Sequence, residues 1–70
     1  MNLRKKRIEK GMKQYELAEA VGLSSQAIYY YETGAREPNL ETLRKLAAVL
    51  GCTLDELIGR EADQGSGESG

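Results

Sequence analysis

Between Leu3 and Ile58 the apolar residues recur at helical spacing, and each periodic run stops at a glycine or at a polar residue suited to a helix boundary. The spacing predicts five helices and no strand. The first runs from about Leu3 to Lys10 and stops at Gly11. The second covers about Gln14 to Val21, with Leu17, Ala18 and Val21 on one stripe and Gly22 as its left-handed terminator. Ser24 caps a third that reaches about Thr33 and closes at Gly34. Asn39, just after Pro38, caps a fourth that ends at Gly51, with Leu40, Leu43, Leu46, Ala47 and Leu50 in phase. Thr53 and Glu56 form a capping box for a short fifth helix carrying Leu54, Leu57 and Ile58.

The stretch Ile28-Tyr29-Tyr30-Tyr31 has strand-like propensity, yet period decides against it. Steps of about 100° per residue put Ser24, Ala27, Ile28 and Tyr31 on one side of the third helix and Gln26, Tyr29, Tyr30 and Thr33 on the other. Tyr31 is therefore expected in the core. Tyr29 and Tyr30 are expected on an outward face with nothing of their own chain to cover them, beside Gln26, as a contact surface. Steric demands mark the neighbouring turn: Ala18 has to be small where the second and third helices cross, Gly22 takes the turn geometry, and Ile28 plugs the angle between them.

A chain of 70 residues supports one small domain. That domain is assigned to residues 1–59, and the Gly, Ser and acid-rich segment 60–70 is expected to be disordered. One cysteine and no histidine allow no intramolecular disulfide and supply too few of the Cys and His ligands usual in a zinc site, so no metal or cofactor is expected. Cys52 reads as a small core residue. No apolar run approaches the roughly 20 residues of a membrane span, and no secretion signal follows the basic N-terminus, so a cytoplasmic location is expected. Catalytic residues are expected to be none, because nothing resembles a nucleophile with its base or a phosphate-cradling loop, and the carboxylates are scattered on helix faces. Net charge is −1, but it is unevenly distributed: residues 1–38 hold seven Lys or Arg against five acids, net +2, and residues 39–70 three against six, net −3. A locally positive face is compatible with that balance.

The second and third helices with their turn, QYELAEAVGLSSQAIYYYETG, resemble the helix-turn-helix of the lambda and Cro repressor family, also called the xenobiotic-response-element family. The resemblance extends over about Leu3 to Ile58 through Leu3, Arg7, Gly11, Gln14, Leu17-Ala18, Gly22, Ser24, Gln26, Ile28, Glu32, Gly34, Pro38, Leu43, Leu46-Ala47, Leu50 and Leu54-Asp55-Glu56-Leu57. It implies a compact all-α, five-helix lambda-repressor-like domain. It also implies a sequence-specific transcriptional regulator of double-stranded DNA, a repressor in the expected direction, with the third helix in the major groove. Base edges would be met by Ser25, Gln26, Tyr30 and Tyr29. The Gln26 amide suits adenine, whose N6 and N7 it can pair with together.

By the same resemblance Gln14 holds a phosphate and braces Gln26. Backbone N–H groups at the start of the second helix and around Thr33, Ala35 and Arg36 would grip phosphates too, with Lys13 and Arg36 adding charge. The wheel of the first helix places Arg4 and Arg7 between Leu3 and Ile8, facing inward, where an arginine needs a partner. The resemblance supplies Glu32 for Arg7, as a structural ion pair. Lys5 and Lys6 are as readily a solvated face as a phosphate contact. Relatives of this type usually act as homodimers on palindromic operators, and the resemblance implies a homodimer at least on DNA and a prokaryotic or phage-type, nucleoid-associated context. No ligand-sensing domain, small-molecule substrate or membrane partner is expected.

Two positions depart from the family pattern. Lys13 stands where a Ser or Thr cap is usual, a loss of about 1 kcal/mol at that helix start. Tyr29 and Tyr30 replace the usual cations or serine of the reading face and bring no positive charge. Mild acidity and the tyrosine pair suit an alternative, a protein-interaction or adaptor module using the Tyr29-Tyr30 face, which Gln14, Gln26 and Arg36 oppose; RNA binding ranks third.

Overall fold

Capping chemistry sets the helix boundaries. The computed structural model of the protein describes residues 1–59, folded into α1 (Leu3–Glu9), α2 (Gln14–Val21), α3 (Ser25–Thr33), α4 (Leu40–Leu50) and α5 (Leu54–Ile58). The fold is all-α, as the spacing predicts, and among the described residues there is no strand. The expected disorder of residues 60–70 lies outside the described residues. Ser24 Oγ accepts the Ala27 N–H at 3.1 Å, Asn39 Oδ1 the Thr42 N–H at 2.8 Å, and Thr53 Oγ1 the Glu56 N–H at 3.0 Å. Each takes one of the donors that a helix start leaves without an intrahelical partner. Lys13 has no side-chain acceptor, so at α2 only the returning half of a capping box forms: the Lys13 backbone N–H donates to Glu16 Oε1 at 2.8 Å.

Gly22 links α2 to α3. Its φ of +75° is costly for a residue with Cβ, and it lets the Leu23 N–H turn back onto the Ala18 carbonyl at 2.8 Å. Leu23 is thereby set against the core and Ser24 in position to cap α3.

The core forms from Leu3, Leu17, Ala18, Val21, Ile28, Leu46, Ala47, Leu50 and Leu57, with Met12, Leu23, Tyr31, Leu43, Val49, Cys52 and Leu54 packed on its margin. Ala18, 1% exposed, comes from α2, and Ile28, fully buried, from α3, the two helices that pack together most extensively. A larger side chain at Ala18 would separate the two helices. The helix α5 closes the open side, and the chain start fastens it: Asn2 donates its backbone N–H to the Leu57 carbonyl at 2.7 Å and its amide to the Glu56 carbonyl at 3.0 Å.

Three sequence expectations are corrected. Arg4 is exposed rather than inward, and Ile8 is 51% exposed. The buried stripe of this seven-residue helix centres on Leu3 and Arg7, one turn apart, and Arg4 and Ile8 sit about 100° round from it. Leu40 shares the phase of the α4 stripe but is 55% exposed. A first-turn side chain leans toward the helix N-terminus and so projects past the core edge. Tyr30 is half-buried rather than bare, because the chain after α3 folds back across it.

The Glu56 carboxyl is held below the usual carboxylate range, chiefly by the Thr53 backbone N–H it accepts at 2.9 Å, with the Lys6 charge adding to the effect. A lowered folded-state pKa contributes stability above the ordinary carboxylate value and loses it as pH falls through the folded one. Hydrogen-exchange protection of Leu54–Ile58 should therefore weaken on acidification, and Glu56→Gln should flatten that dependence; an unaltered acid profile in the variant would assign it elsewhere.

Candidate nucleic-acid interface

The outward side of α3 is uncharged and largely bare. Ser25, Gln26 and Tyr29 are exposed, Tyr29 by 51%, while Ile28 and Tyr31 anchor the same helix inward. Gln26 and Tyr30, one turn apart, are joined: the Gln26 Nε2 donates to the Tyr30 hydroxyl at 2.8 Å. The Tyr29 and Tyr30 rings lie 6.0 Å apart at an interplanar angle of 57°, within the range of favourable tilted pairs.

The segment leaving α3 braces this face. The Arg36 guanidinium carbon sits 5.2 Å from the Tyr30 ring centroid, and the Arg36 N–H donates to the Tyr30 carbonyl at 3.2 Å. Thr33 Oγ1 donates to the same carbonyl at 3.2 Å and accepts the Ala35 N–H at 3.4 Å. The Ala35 and Arg36 amides, expected to face phosphate, thus carry internal partners, whereas the side chains of Lys13 and Arg36 are exposed at residues flanking the α2–α3 unit. Periodicity could not reveal the Arg36–Tyr30 stack, since it depends on the path of a loop.

Beneath the face, one carboxylate ties three segments together. Glu32 accepts Arg7 Nε on Oε2, Arg7 Nη2 at 3.2 Å on Oε1 and Gln14 Nε2 at 3.0 Å on Oε1. The remaining Arg7 arm donates to the Met12 carbonyl at 2.8 Å. Arg7 is 8% exposed and the Glu32 side chain 2%. The pair implied by the resemblance is present, bidentate and sequestered. The expected brace is not: Gln14 holds Glu32, and Gln26 is held by Tyr30, because Gln14 points toward the α1–α3 contact instead of along the outer face. One exposed phenol carries no role in the sequence expectations: Tyr15, second residue of α2, is 53% exposed beside Lys13 and Gln14. Its spacing alone gives no sign of a function.

No helix among the described residues is long and apolar enough to cross a membrane. Set against known families, residues 3–57 match the helix-turn-helix family model. Among individual proteins, the chain is 41% identical over 56 residues to the SPbeta prophage-derived uncharacterized HTH-type transcriptional regulator YonR of Bacillus subtilis, covering 80% of this chain and 52% of that protein. It is 35% identical over 63 residues to the uncharacterized HTH-type transcriptional regulator YqaE of the same bacterium, covering 90% of this chain and 54% of that one. With the cryptic phage CTXphi transcriptional repressor RstR of Vibrio cholerae it shares 36% identity over 56 residues, 80% of this chain and 50% of the repressor. The chain therefore spans about half the length of these relatives. A match over most of the chain, a buried Arg7–Glu32 tie and a glycine-linked α2–α3 pair agree, and the protein belongs to the lambda and Cro repressor-like helix-turn-helix family.

Proposed function

We propose that the protein is a sequence-specific regulator of transcription, a repressor in its simplest form, that inserts α3 into the major groove of double-stranded DNA. The observation that carries this reading is the polar, uncharged face of Ser25, Gln26 and Tyr29 held outward by a helix whose opposite side is locked into the core. Gln26 would pair with an adenine edge, with Ser25, Tyr29 and Tyr30 on neighbouring bases. Lys13 and Arg36 would meet phosphates on either side, and Gln14 would reach the backbone with the amide hydrogen that Glu32 does not take. Thr33 and Ala35 would approach phosphate only by sharing the hydrogen bond between them.

A single short helix reads few base pairs, so useful selectivity calls for a homodimer on a palindromic site with half-sites about 34 Å apart. Exposed Met1 and Ile58, which flank an open cleft lined also by Tyr31, Pro38 and Leu43, offer apolar surface for such a pairing on DNA. The name of the phage relative RstR, a transcriptional repressor, supports the repressor reading, and that of the prophage relative YonR supports a transcriptional regulator.

Selection from a random duplex library, followed by titration across salt, tests the proposal. An enriched palindromic motif and a log K that falls linearly with log salt are expected. Gln26→Ala should lose roughly 1–3 kcal/mol of base discrimination. Arg36→Ala should weaken every duplex and make the salt slope shallower by about one, and because Arg36 also covers the Tyr30 ring it should take a smaller part of the base preference with it. Absence of any enriched sequence would move the assignment to a protein partner docking on the tyrosine face.

A further inference from the structure

Resting on that reading, the Gln26–Tyr30 contact limits what the two side chains can ask of DNA. A primary amide has two N–H bonds and a carbonyl oxygen. With one N–H given to the Tyr30 hydroxyl at 2.8 Å, Gln26 keeps the other N–H and its carbonyl, the donor and acceptor that an adenine edge requires. The internal bond therefore restrains the glutamine without blocking it. A glutamine side chain gives up rotamer freedom when it is fixed, so restraint before binding matters.

The phenol is restrained in turn. Arg36 covers the Tyr30 ring at 5.2 Å, Tyr29 leans on it at 6.0 Å, and Thr33 and Arg36 both donate to the Tyr30 carbonyl. While the phenol oxygen accepts from Gln26, its own hydrogen is left to donate, and that hydrogen has no acceptor among the described residues. In the major groove, purine N7, guanine O6 and thymine O4 accept, whereas cytosine presents its N4 amino donor.

We propose that Gln26 and Tyr30 read as one unit: Tyr30 is the positioning residue that presents the Gln26 amide to adenine, and its hydroxyl demands an acceptor on the adjoining base, so that cytosine is rejected there. Arg36, which covers the ring, would link this unit to the phosphate backbone on that reading.

The test uses the full chain as wild type, Gln26→Ala, Tyr30→Phe and the double variant. Affinities are measured at fixed salt for the selected duplex, for single-base changes at the Gln26 position and its neighbour, and for a scrambled duplex. Tyr30→Phe keeps the ring under Arg36, so the melting temperature should hold, and any loss on the scrambled duplex should be smaller than the loss on the selected one. The preference for adenine should fall about fivefold, the worth of one hydrogen bond, and cytosine should become tolerated next door. In the double variant the loss at the adenine position should not exceed that of Gln26→Ala alone. Additive losses, or a Tyr30→Phe protein that still prefers adenine and rejects cytosine, would overturn the proposal. A wild type that discriminates no duplex would overturn the DNA reading itself. In that event the Gln26 side-chain amide resonances of the free protein decide whether the link exists: they should shift in Tyr30→Phe if it does and stay unchanged if it does not.

Discussion

Replacing Glu32 with alanine should remove roughly 3–5 kcal/mol of folding stability, because it strands a buried guanidinium. Arg7 is 8% exposed and spends two of its three donor groups on Glu32, so without that carboxylate only the Met12 carbonyl is left to it. Gln14 loses its acceptor in the same step. A chain of 70 residues has roughly 4–10 kcal/mol of stability in total, so such a loss leaves the fold marginal at best. Arg7→Ala should behave similarly, since it leaves the carboxylate, 2% exposed, with the Gln14 amide as its remaining partner. Lys6→Ala on the same helix removes the 3.9 Å pairing with Glu9 and a minor charge effect at the exposed Glu56 carboxylate, and should be nearly neutral. Denaturant midpoints for the three variants decide the matter, and a Glu32→Ala midpoint matching that of Lys6→Ala would contradict it. An apolar pair, Arg7→Met with Glu32→Leu, should recover much of the loss, because the cost lies in the unpaired charge rather than in the missing bond.

Ile28→Ala should cost roughly 2–5 kcal/mol. Ile28 is fully buried in the core, and α2 packs on α3 more extensively than any other two helices pack together. Rigid helices cannot collapse into the space left behind, so a cavity term adds to the lost burial. Ile28→Val, which removes one methylene, should cost about 0.5–1.5 kcal/mol. On the proposed reading the consequence would extend to DNA recognition, because Ile28 and Tyr31 are the residues of α3 seated in or against the core. A loosened α3 would point Gln26 less consistently, and at temperatures where Ile28→Val is fully folded it should lose some base preference while keeping scrambled-duplex affinity. Thermal melts and the competition assay separate the two effects; an Ile28→Ala melt within about 1 kcal/mol of wild type would remove Ile28 from its assigned place.

Helix limits were legible in the chain because local chemistry sets them. Ser24, Asn39 and Thr53 cap in space as they do in sequence, and Gly22, Gly34 and Gly51 take left-handed conformations at the ends of α2, α3 and α4. Core membership was legible where a stripe was long, as in α4 from Leu43 to Leu50, and failed where it was short or at an end. A helix of seven residues does not fix its own wheel, so Arg4 and Ile8 were misplaced, and Leu40 overhangs the first turn of α4. For the ion pair, periodicity gave only the inward direction of Arg7; Glu32 came from resemblance. The candidate interface was legible as a face but not as a set of contacts. The one-turn spacing of Gln26 and Tyr30 permits their hydrogen bond without requiring it, and the Arg36 stack depends on a loop path that no period encodes.

The surface of α3 that lacks cations also bears on how such a regulator would search a chromosome. Phenols and amides hold random duplex weakly, since sequence-independent attraction comes almost wholly from Lys and Arg releasing counterions. On the proposed reading α3 would add little to the hold on unrelated sites, which Lys13 and Arg36 would carry instead. Discrimination and retention on a duplex would then be adjustable separately, the first through the phenols and amides of α3 and the second through two cations outside it.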